Sequence, residues 1–505
     1  MAINQRKAGA LLSYAVLGVS NIVGLLYTPY MLRMMGKSEY GLYALVGSVI
    51  AYLTILDFGF GNAIVRYTAK FRAEGKLQEQ YSMFGLFIIL YSIIGILSFI
   101  IGLGLYYNVE NLFGETMSQD ELGKAKIMML LMVFNIAFTF PLSIFGSIIT
   151  AYENFIFVKV ISLSRILLNT VIMILLLEIG YRAVGMVVLA TVLNLVTLII
   201  NYWYCKNKIK IKISFQNMKL GLLKEVSIYS FYIFLNIIMN KVYWSTGQFV
   251  LGMYLGTAAV AVFAVAIQFQ GMYMGFSTAI SGVFLPKVTG MVAGNSTDRE
   301  ISDLFVRTGR IQYIIMSFIL AGFILFGRQF IILWAGPDYE EAFSITLLFF
   351  IALTIPLIQN LGITILQARN QMEFRSWLYF VMAIISLVFQ ILLAEKYGGL
   401  GVAYAIAGGL VLGNVIIMNI YYHRKQHIDI IRFWREILRM SIAPGIISIG
   451  TYYLLNGMIF ESFGQLVIAI GIFSVVYLPV FWFSSMNTYE RELLKKPMVK
   501  LLKRN

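Results

Sequence analysis

Apolar stretches of about 20 residues recur along the whole chain, and a helix of that length spans the roughly 30 Å hydrocarbon core of a bilayer. Such segments can cross lipid only as structures that satisfy their own backbone hydrogen bonds, so they dictate an all-α bundle. Charged residues make up only 12% of the sequence against roughly a quarter in soluble domains, which excludes a water-soluble fold for the 505 residues. The spans fall near 9–30, 41–64, 81–106, 127–150, 160–179, 184–205, 227–253, 257–284, 311–333, 343–366, 377–395, 400–422, 438–456 and 464–485, about fourteen in all. Arg6 and Lys7 precede an apolar stretch too long for the core of a secretory signal, so this stretch reads as span 1.

Fourteen crossings leave both termini on one face. Of the 39 Lys and Arg residues, 31 sort to that face and 7 to the other, with Lys241 inside a span. Asp and Glu divide almost evenly and Asp57 lies within a span. Positive charge alone is biased, so the termini are expected in the cytoplasm. The net charge of +15 is therefore a topology signal, and no nucleic-acid partner is expected. The single Cys205 excludes an intrachain disulfide.

Two cytoplasmic segments stand out. Residues 423–440 set Ile428, Ile431, Trp434 and Leu438 opposite Arg432, Arg435 and Arg439 at helical spacing, as in a helix lying on the membrane surface. The Lys-rich run Lys206 to Lys212 reads as a linker between two halves.

The chain also repeats itself. Met35-Gly36 aligns with Leu255-Gly256, and Tyr40 to Ala44 with Val260 to Ala264. Pro141-Leu142 aligns with Pro356-Leu357, Val184-Gly185 with Leu400-Gly401, and Tyr202 to Tyr204 with Ile420 to Tyr422. Spans 1–6 thus echo spans 7–12. The expected organisation is a polytopic membrane protein with two pseudo-symmetric six-helix lobes, 1–210 and 211–425. An interfacial helix, helices 13 and 14 and a basic tail follow over 426–505. Because six is even, the halves enter the membrane in the same orientation and their pseudo-symmetry axis runs along the membrane normal, an arrangement suited to alternating access.

The segment from Met35 to Ala44 (MGKSEYGLYA), the segment from Leu56 to Tyr67 (LDFGFGNAIVRY) and the later Trp334 to Ala342 (WAGPDYEEA) resemble polysaccharide flippases. That family belongs to the superfamily that includes multidrug exporters and peptidoglycan-precursor flippases. The resemblance implies translocation of an undecaprenyl-diphosphate-linked oligosaccharide from the cytoplasmic to the outer leaflet of a bacterial inner membrane, in the assembly of surface polysaccharide such as the O-antigen of lipopolysaccharide. A glycan polymerase or glycosyltransferases are the candidate protein partners. The two extra helices keep a peptidoglycan-precursor flippase open as an alternative. A cation-coupled multidrug exporter and a membrane enzyme of glycan assembly are the others.

Shelter for a diphosphate and sugars calls for a cationic, hydrogen-bonding cavity. Lys241 in span 7 is the leading candidate because ionisable residues at membrane depth are costly and commonly functional. Asn240 and Trp244 can share its face, with Asn236 and Gln248 nearby. The structural alternative pairs Lys241 with Asp57. Gln268 in span 8 and Arg66 at the cytoplasmic end of span 2 complete the candidate cavity set, and Gln268 and Gln270 point to opposite faces of one helix. Asp57, followed by Gly59 and Gly61, either binds a coupling ion, H+ or Na+, or holds a helix break or pairs with Arg66. Pro141 and Pro356, at matched positions, are candidate hinges.

The sequence lacks a G-x-x-x-x-G-K-[ST] phosphate loop, an H-E-x-x-H motif and a D-x-D pair, and its two histidines, His423 and His427, share one cytoplasmic loop. No catalytic residue, metal site or cofactor is expected. Membrane lipids and the lipid-linked substrate are the expected non-protein partners.

Overall fold

The computed structural model describes residues 5–216, 220–281, 284–294, 296–455, 457–493 and 495. The basic tail beyond them, expected in the cytoplasm, lies outside the described residues. In chain order the α-helices are α1 (Gln5–Met35), α2 (Lys37–Leu53), α3 (Phe60–Ala73), α4 (Leu77–Tyr107), α5 (Val109–Phe113), α6 (Gln119–Ala151), α7 (Phe155–Glu178), α8 (Ala183–Tyr204), α9 (Leu220–Trp244) and α10 (Thr246–Leu255). They continue with α11 (Thr257–Ser281), α12 (Leu285–Ala293), α13 (Asp298–Ala335), α14 (Glu341–Ile358), α15 (Leu361–Ala368), α16 (Glu373–Leu410), α17 (Met418–Arg424), α18 (Ile430–Leu455) and α19 (Phe463–Val480). No strand occurs among the described residues.

Twelve helical runs among the described residues are long and apolar enough to cross a membrane. One of them, the 52-residue run Glu373–Arg424, turns at Gly398 (φ 57°, ψ −137°) and so makes two crossings. With α9 and α10 joined end to end as one more, the crossings number about fourteen. The chain is a multi-pass, all-α membrane protein.

The backbone itself repeats at the offset seen in the sequence. Left-handed residues recur as Gly36 and Gly256, Glu153 and Asn370, Gly180 and Gly398, and Lys210 and His427, at separations of 220, 217, 218 and 217. Gly36 and Gly256 share nearly the same angles, φ 79° and ψ 166° against φ 78° and ψ −173°. All four pairs sit where one span gives way to the next, so the turns as well as the helices are duplicated.

The chain divides into two compact units, Met1–Ala264 with Ser376–Val402, and Val265–Arg375 with Ala403–Asn505. In the first, α4 packs along α6, α6 along α8, and α1 along α7. Its core gathers Phe84, Phe87, Tyr91, Phe140, Ile144 and Ile148. Lipid tails are as apolar as these side chains, so close packing rather than escape from water holds such helices together. The α4–α6 contact shows how close: a Cβ on Gly95 would lie 2.5 Å from the Ala137 carbonyl oxygen, and one on Gly102 would lie 2.3 Å from Val133. Ser98, fully buried, sits between these glycines. The linker after α8 also packs here, with Ile211 and Ile213 against the core and the Ser214 amide donating to the Tyr81 carbonyl.

In the second unit α13 is the central element and packs on α14, α18 and α19. Phe318 stacks on Phe473 with ring centroids 6.2 Å apart, and Tyr477 and Phe481 extend the aromatic row. The surface-helix expectation for 423–440 takes a different form. The segment from Ile430 onward is the opening of α18, which continues without a break to Leu455. The face it buries is Phe433, Ile437 and Met440, while Ile431 and Leu438 are exposed. The Trp434 indole donates to Asn419, itself paired with the buried Gln359.

Candidate functional site

Span 7 is two helices. Its first, α9, ends at Trp244; Ser245 leaves helical geometry (φ −113°, ψ −31°), and α10 begins at Thr246. The Lys241 carbonyl accepts from the Ser245 amide at 2.9 Å and from the Thr246 hydroxyl at 3.4 Å, so the break is bonded back to this residue. The Lys241 side chain is half-buried. Among the described residues its ammonium has no hydrogen bond or ion pair, and the pairing with Asp57 considered from sequence is not formed. Asn240 is exposed and donates from its amide to the Asn236 carbonyl at 2.8 Å, while Asn236 and Trp244 are half-buried. These four share α9. Gln248 lies beyond the break on α10, half-buried.

Span 2 is broken as well. After α2 comes a 3-10 turn, Thr54–Asp57, then Phe58 and Gly59 in the left-handed region at φ 50° and 75°. Asp57 closes that turn. Its carboxylate accepts from the Tyr91 hydroxyl at 2.7 Å and from the Gly59 amide. Asp57 thus lies at the interruption of the helix, with Tyr91 on α4 as its outside partner. Gly59 is required here twice over, by its positive φ and because a Cβ would come within 2.6 Å of Ile233 on α9. Phe58 packs on Phe234 of α9 with centroids 4.8 Å apart. The broken stretch of span 2 thus rests against the helix that carries Lys241. Directly after the break in span 7, the Thr246 hydroxyl is hydrogen-bonded to the hydroxyl of Tyr52, which lies just before the break in span 2.

The remaining candidates are more dispersed. Arg66 is exposed on α3, its guanidinium 6.0 Å from the Tyr67 ring centre. Gln268 is half-buried and belongs to the second compact unit, and its neighbour Gln270 is buried. Pro141 lies within the continuous helix α6, whereas Pro356 is followed two residues later by the end of α14 and a turn at Gln359 and Asn360.

One residue was missed. Sorting cations by loop assigned Arg165 to the cytoplasmic face, yet it is in α7, about 15 Å along the helix from its first residue and inside the span 160–179. The Arg165 guanidinium donates to Asn194 of α8 at 3.2 Å. The Asn194 amide in turn donates to Asn135 at 2.6 Å and Thr139 at 2.7 Å on α6. All four residues are half-buried. No acidic partner of Arg165 occurs among the described residues, and its one hydrogen bond is to a neutral amide. The usable signal was its position inside the apolar run 160–179, which loop counting concealed.

The first compact unit therefore holds two cations at membrane depth, Lys241 and Arg165, with amides and an indole beside them. The family described as "Polysaccharide biosynthesis protein" matches residues 7–292, more than half of the chain. The chain belongs to this family. A comparison with curated proteins gives no match.

Solved structures extend the likeness of this polysaccharide biosynthesis protein over most of its length. The structure titled "Lipid II flippase MurJ, inward closed conformation" superposes with a TM-score of 0.69 at 19% identity, over 93% of this chain and 97% of that one. An inward-facing multidrug resistance MATE family transporter of the MOP superfamily gives 0.61 at 15% identity, over 82% of this chain and 99% of that one. A MOP superfamily transporter from Pyrococcus furiosus, whose title speaks of a reversed polarity of its binding pocket, gives 0.55 at 14% identity, over 83% and 95%. At these identities the likeness establishes a shared fold. The family member therefore has the fold of the MOP-superfamily transporters.

Proposed function

We propose that this family member is a flippase that moves an undecaprenyl-diphosphate-linked oligosaccharide from the cytoplasmic to the outer leaflet for assembly of surface polysaccharide. It acts by alternating access between the lobes 1–210 and 211–425, with Pro141 and Pro356 as hinges. The observation that carries this reading is the charge balance inside the membrane. Lys241 and Arg165 have no acidic partner among the described residues, while Asp57 is occupied by Tyr91 and the Gly59 amide. An uncompensated cation near the bilayer centre costs about 3 kcal/mol on insertion scales, a cost that a transported anion offsets. A diphosphate supplies that anion, and Asn236, Asn240, Trp244, Gln248, Gln268 and Arg66 supply hydrogen bonds and a stacking plane for sugars and headgroup.

A drug exporter for organic cations needs an available carboxylate at the same depth, so the charge balance weighs against it. The second reading is a peptidoglycan-precursor flippase, favoured by the coverage of the MurJ-like fold, which takes in nearly all of this chain. Both place the protein in a bacterial inner membrane with cytoplasmic termini, driven by an H+ or Na+ gradient, with a glycan polymerase or glycosyltransferases as neighbours.

The test is export of surface glycan by cells whose only copy is Lys241→Gln, Arg165→Gln or the double variant, with membrane insertion checked in parallel. Removing a charge-assisted contact of about 1.5–3 kcal/mol slows export roughly 10- to 150-fold. Normal export by the double variant defeats the assignment. Rescue of cells lacking their peptidoglycan-precursor flippase decides for the second reading.

A further inference from the structure

A crevice of about 650 Å³ opens in the first compact unit between the end of α7 and the beginning of α8. Its walls are apolar, with Ile172 and Leu176 on α7 facing Val188 and Val192 on α8. Val188 and Val192 are 42% and 49% exposed, so the crevice opens sideways to the bilayer and not into the helix packing.

The mouth is polar and built. Glu39 is buried and uses both carboxylate oxygens, one accepting from Lys124 at 2.6 Å and the other from the first amide of α8, Ala183, at 3.2 Å. Lys124 also holds Asp120 at 2.5 Å, so this lysine is committed to two acids. Arg182, in the turn just before α8, also lines the crevice, is exposed, and has no hydrogen bond or ion pair through its side chain among the described residues. Tyr181 beside it is exposed, as tyrosines at headgroup level commonly are. The turn 180–182 joins spans 5 and 6 on the face opposite the termini.

We propose that this crevice binds a phospholipid of that leaflet, with the phosphate on Arg182 and an acyl chain between α7 and α8. Guanidinium groups bind phosphate oxygens with two parallel hydrogen bonds, and the paired valines and α7 side chains offer nothing but hydrocarbon below the mouth. The charge count selects the occupant. Glu39, Asp120 and Lys124 are engaged with one another and together carry one negative charge, so the mouth is neutral overall, and Arg182 is its one uncommitted cation, enough for a single phosphodiester. A diphosphate carries more charge than this mouth can meet, so the site is distinct from the proposed translocation path and does not rest on that reading.

The test is native mass spectrometry of the full-length protein in detergent with phosphatidylglycerol or, as control, dioleoylglycerol, which lacks the phosphate. The wild-type protein retains one phosphatidylglycerol more than Arg182→Ala, and Val188→Trp, which fills the crevice from its exposed side, loses the same molecule. Dioleoylglycerol is not retained. Equal retention of phosphatidylglycerol by the wild type and both variants overturns the site. Retention of dioleoylglycerol at the level of phosphatidylglycerol overturns the role of Arg182. Displacement of phosphatidylglycerol by farnesyl diphosphate at equal concentration overturns the choice of a phosphodiester and returns the crevice to the transported lipid.

Discussion

The Tyr91 hydroxyl, on α4, donates a 2.7 Å hydrogen bond to Oδ1 of Asp57, which closes the 3-10 turn in span 2. Tyr91 is fully buried and stacks on Phe140 of α6, so the donor is fixed in place. The interruption of span 2 is thereby tied to the α4–α6 core. Tyr91→Phe keeps the ring and removes the donor, and we expect a loss of about 1.5–3 kcal/mol, the usual worth of a hydrogen bond to a charged group. Thermal unfolding in detergent measures it. Asp57→Asn keeps an acceptor and should export glycan near the wild-type rate. Loss of export by that variant with an unchanged melting temperature would move Asp57 to ion coupling.

Pro141 lacks an amide hydrogen, so the Ala137 carbonyl loses its usual donor four residues on, and Gly95 of α4 is the residue that comes against it. Gly95→Ala would bring a Cβ to 2.5 Å from that oxygen. Overpacking of this kind costs about 1–3 kcal/mol. Pro141→Ala restores the helical bond without removing the clash, so the double variant should be no more stable than Gly95→Ala alone. A double variant as stable as wild type would show that α4 and α6 have room to separate.

Arg310 of α13 is buried at the start of the second unit's core and bonds Glu490 twice, from Nε at 2.6 Å and from Nη2 at 3.0 Å. It also donates to Glu436 of α18 at 2.7 Å and to the Ser485 carbonyl at 3.2 Å. Glu490 is 1% exposed. Arg310→Met leaves the buried Glu490 carboxylate without its cation and should destabilise by about 3–5 kcal/mol, and Glu490→Met, which leaves Arg310 its Glu436 partner, should destabilise by less. The double variant Arg310→Met with Glu490→Met should recover most of the loss. Limited proteolysis reads the same event, since the segment after Ser485 becomes cleavable in the single variants only. Uncleaved single variants would mean that packing alone holds the segment.

Lys241 and Arg165 belong to different helices with no shared partner among the described residues. Their effects on export should therefore combine. If each lowers export by a given factor, the double variant Lys241→Gln with Arg165→Gln should lower it by the product within about 0.5 kcal/mol, or roughly twofold. A double variant no worse than Lys241→Gln alone would make Arg165 a clamp on Asn194 with no share in transport.

Legibility from sequence varied residue by residue. The alternation of helix and turn was plain, and the four matched left-handed pairs place the backbone repeat at the offset read from Met35-Gly36 and Leu255-Gly256. Lys241 was visible because a lysine within an apolar run has few explanations. Arg165 also lies within an apolar run, but counting it with neighbouring loop cations hid it. The amphipathic pattern at 423–440 was real, and the tertiary fold buries Ile428 of its apolar set together with Phe433 and Ile437, on which α13 and α17 pack, while Ile431 and Leu438 stay exposed.

What could be read from this sequence unaided was linear: segment length against bilayer thickness, the uneven spread of cations along the chain, and the likeness of one half to the other. Each depends only on spacing along the chain, which lipid reads directly through the cost of exposing backbone and charge. The tertiary structure decided which polar side chains are already engaged. Asp57 finds Tyr91 across 34 residues, Arg310 finds Glu490 across 180, and Lys241 finds neither acid. Hydrogen bonds act over about 3 Å, so their partners are set by how helices pack, and no spacing in the chain specifies that.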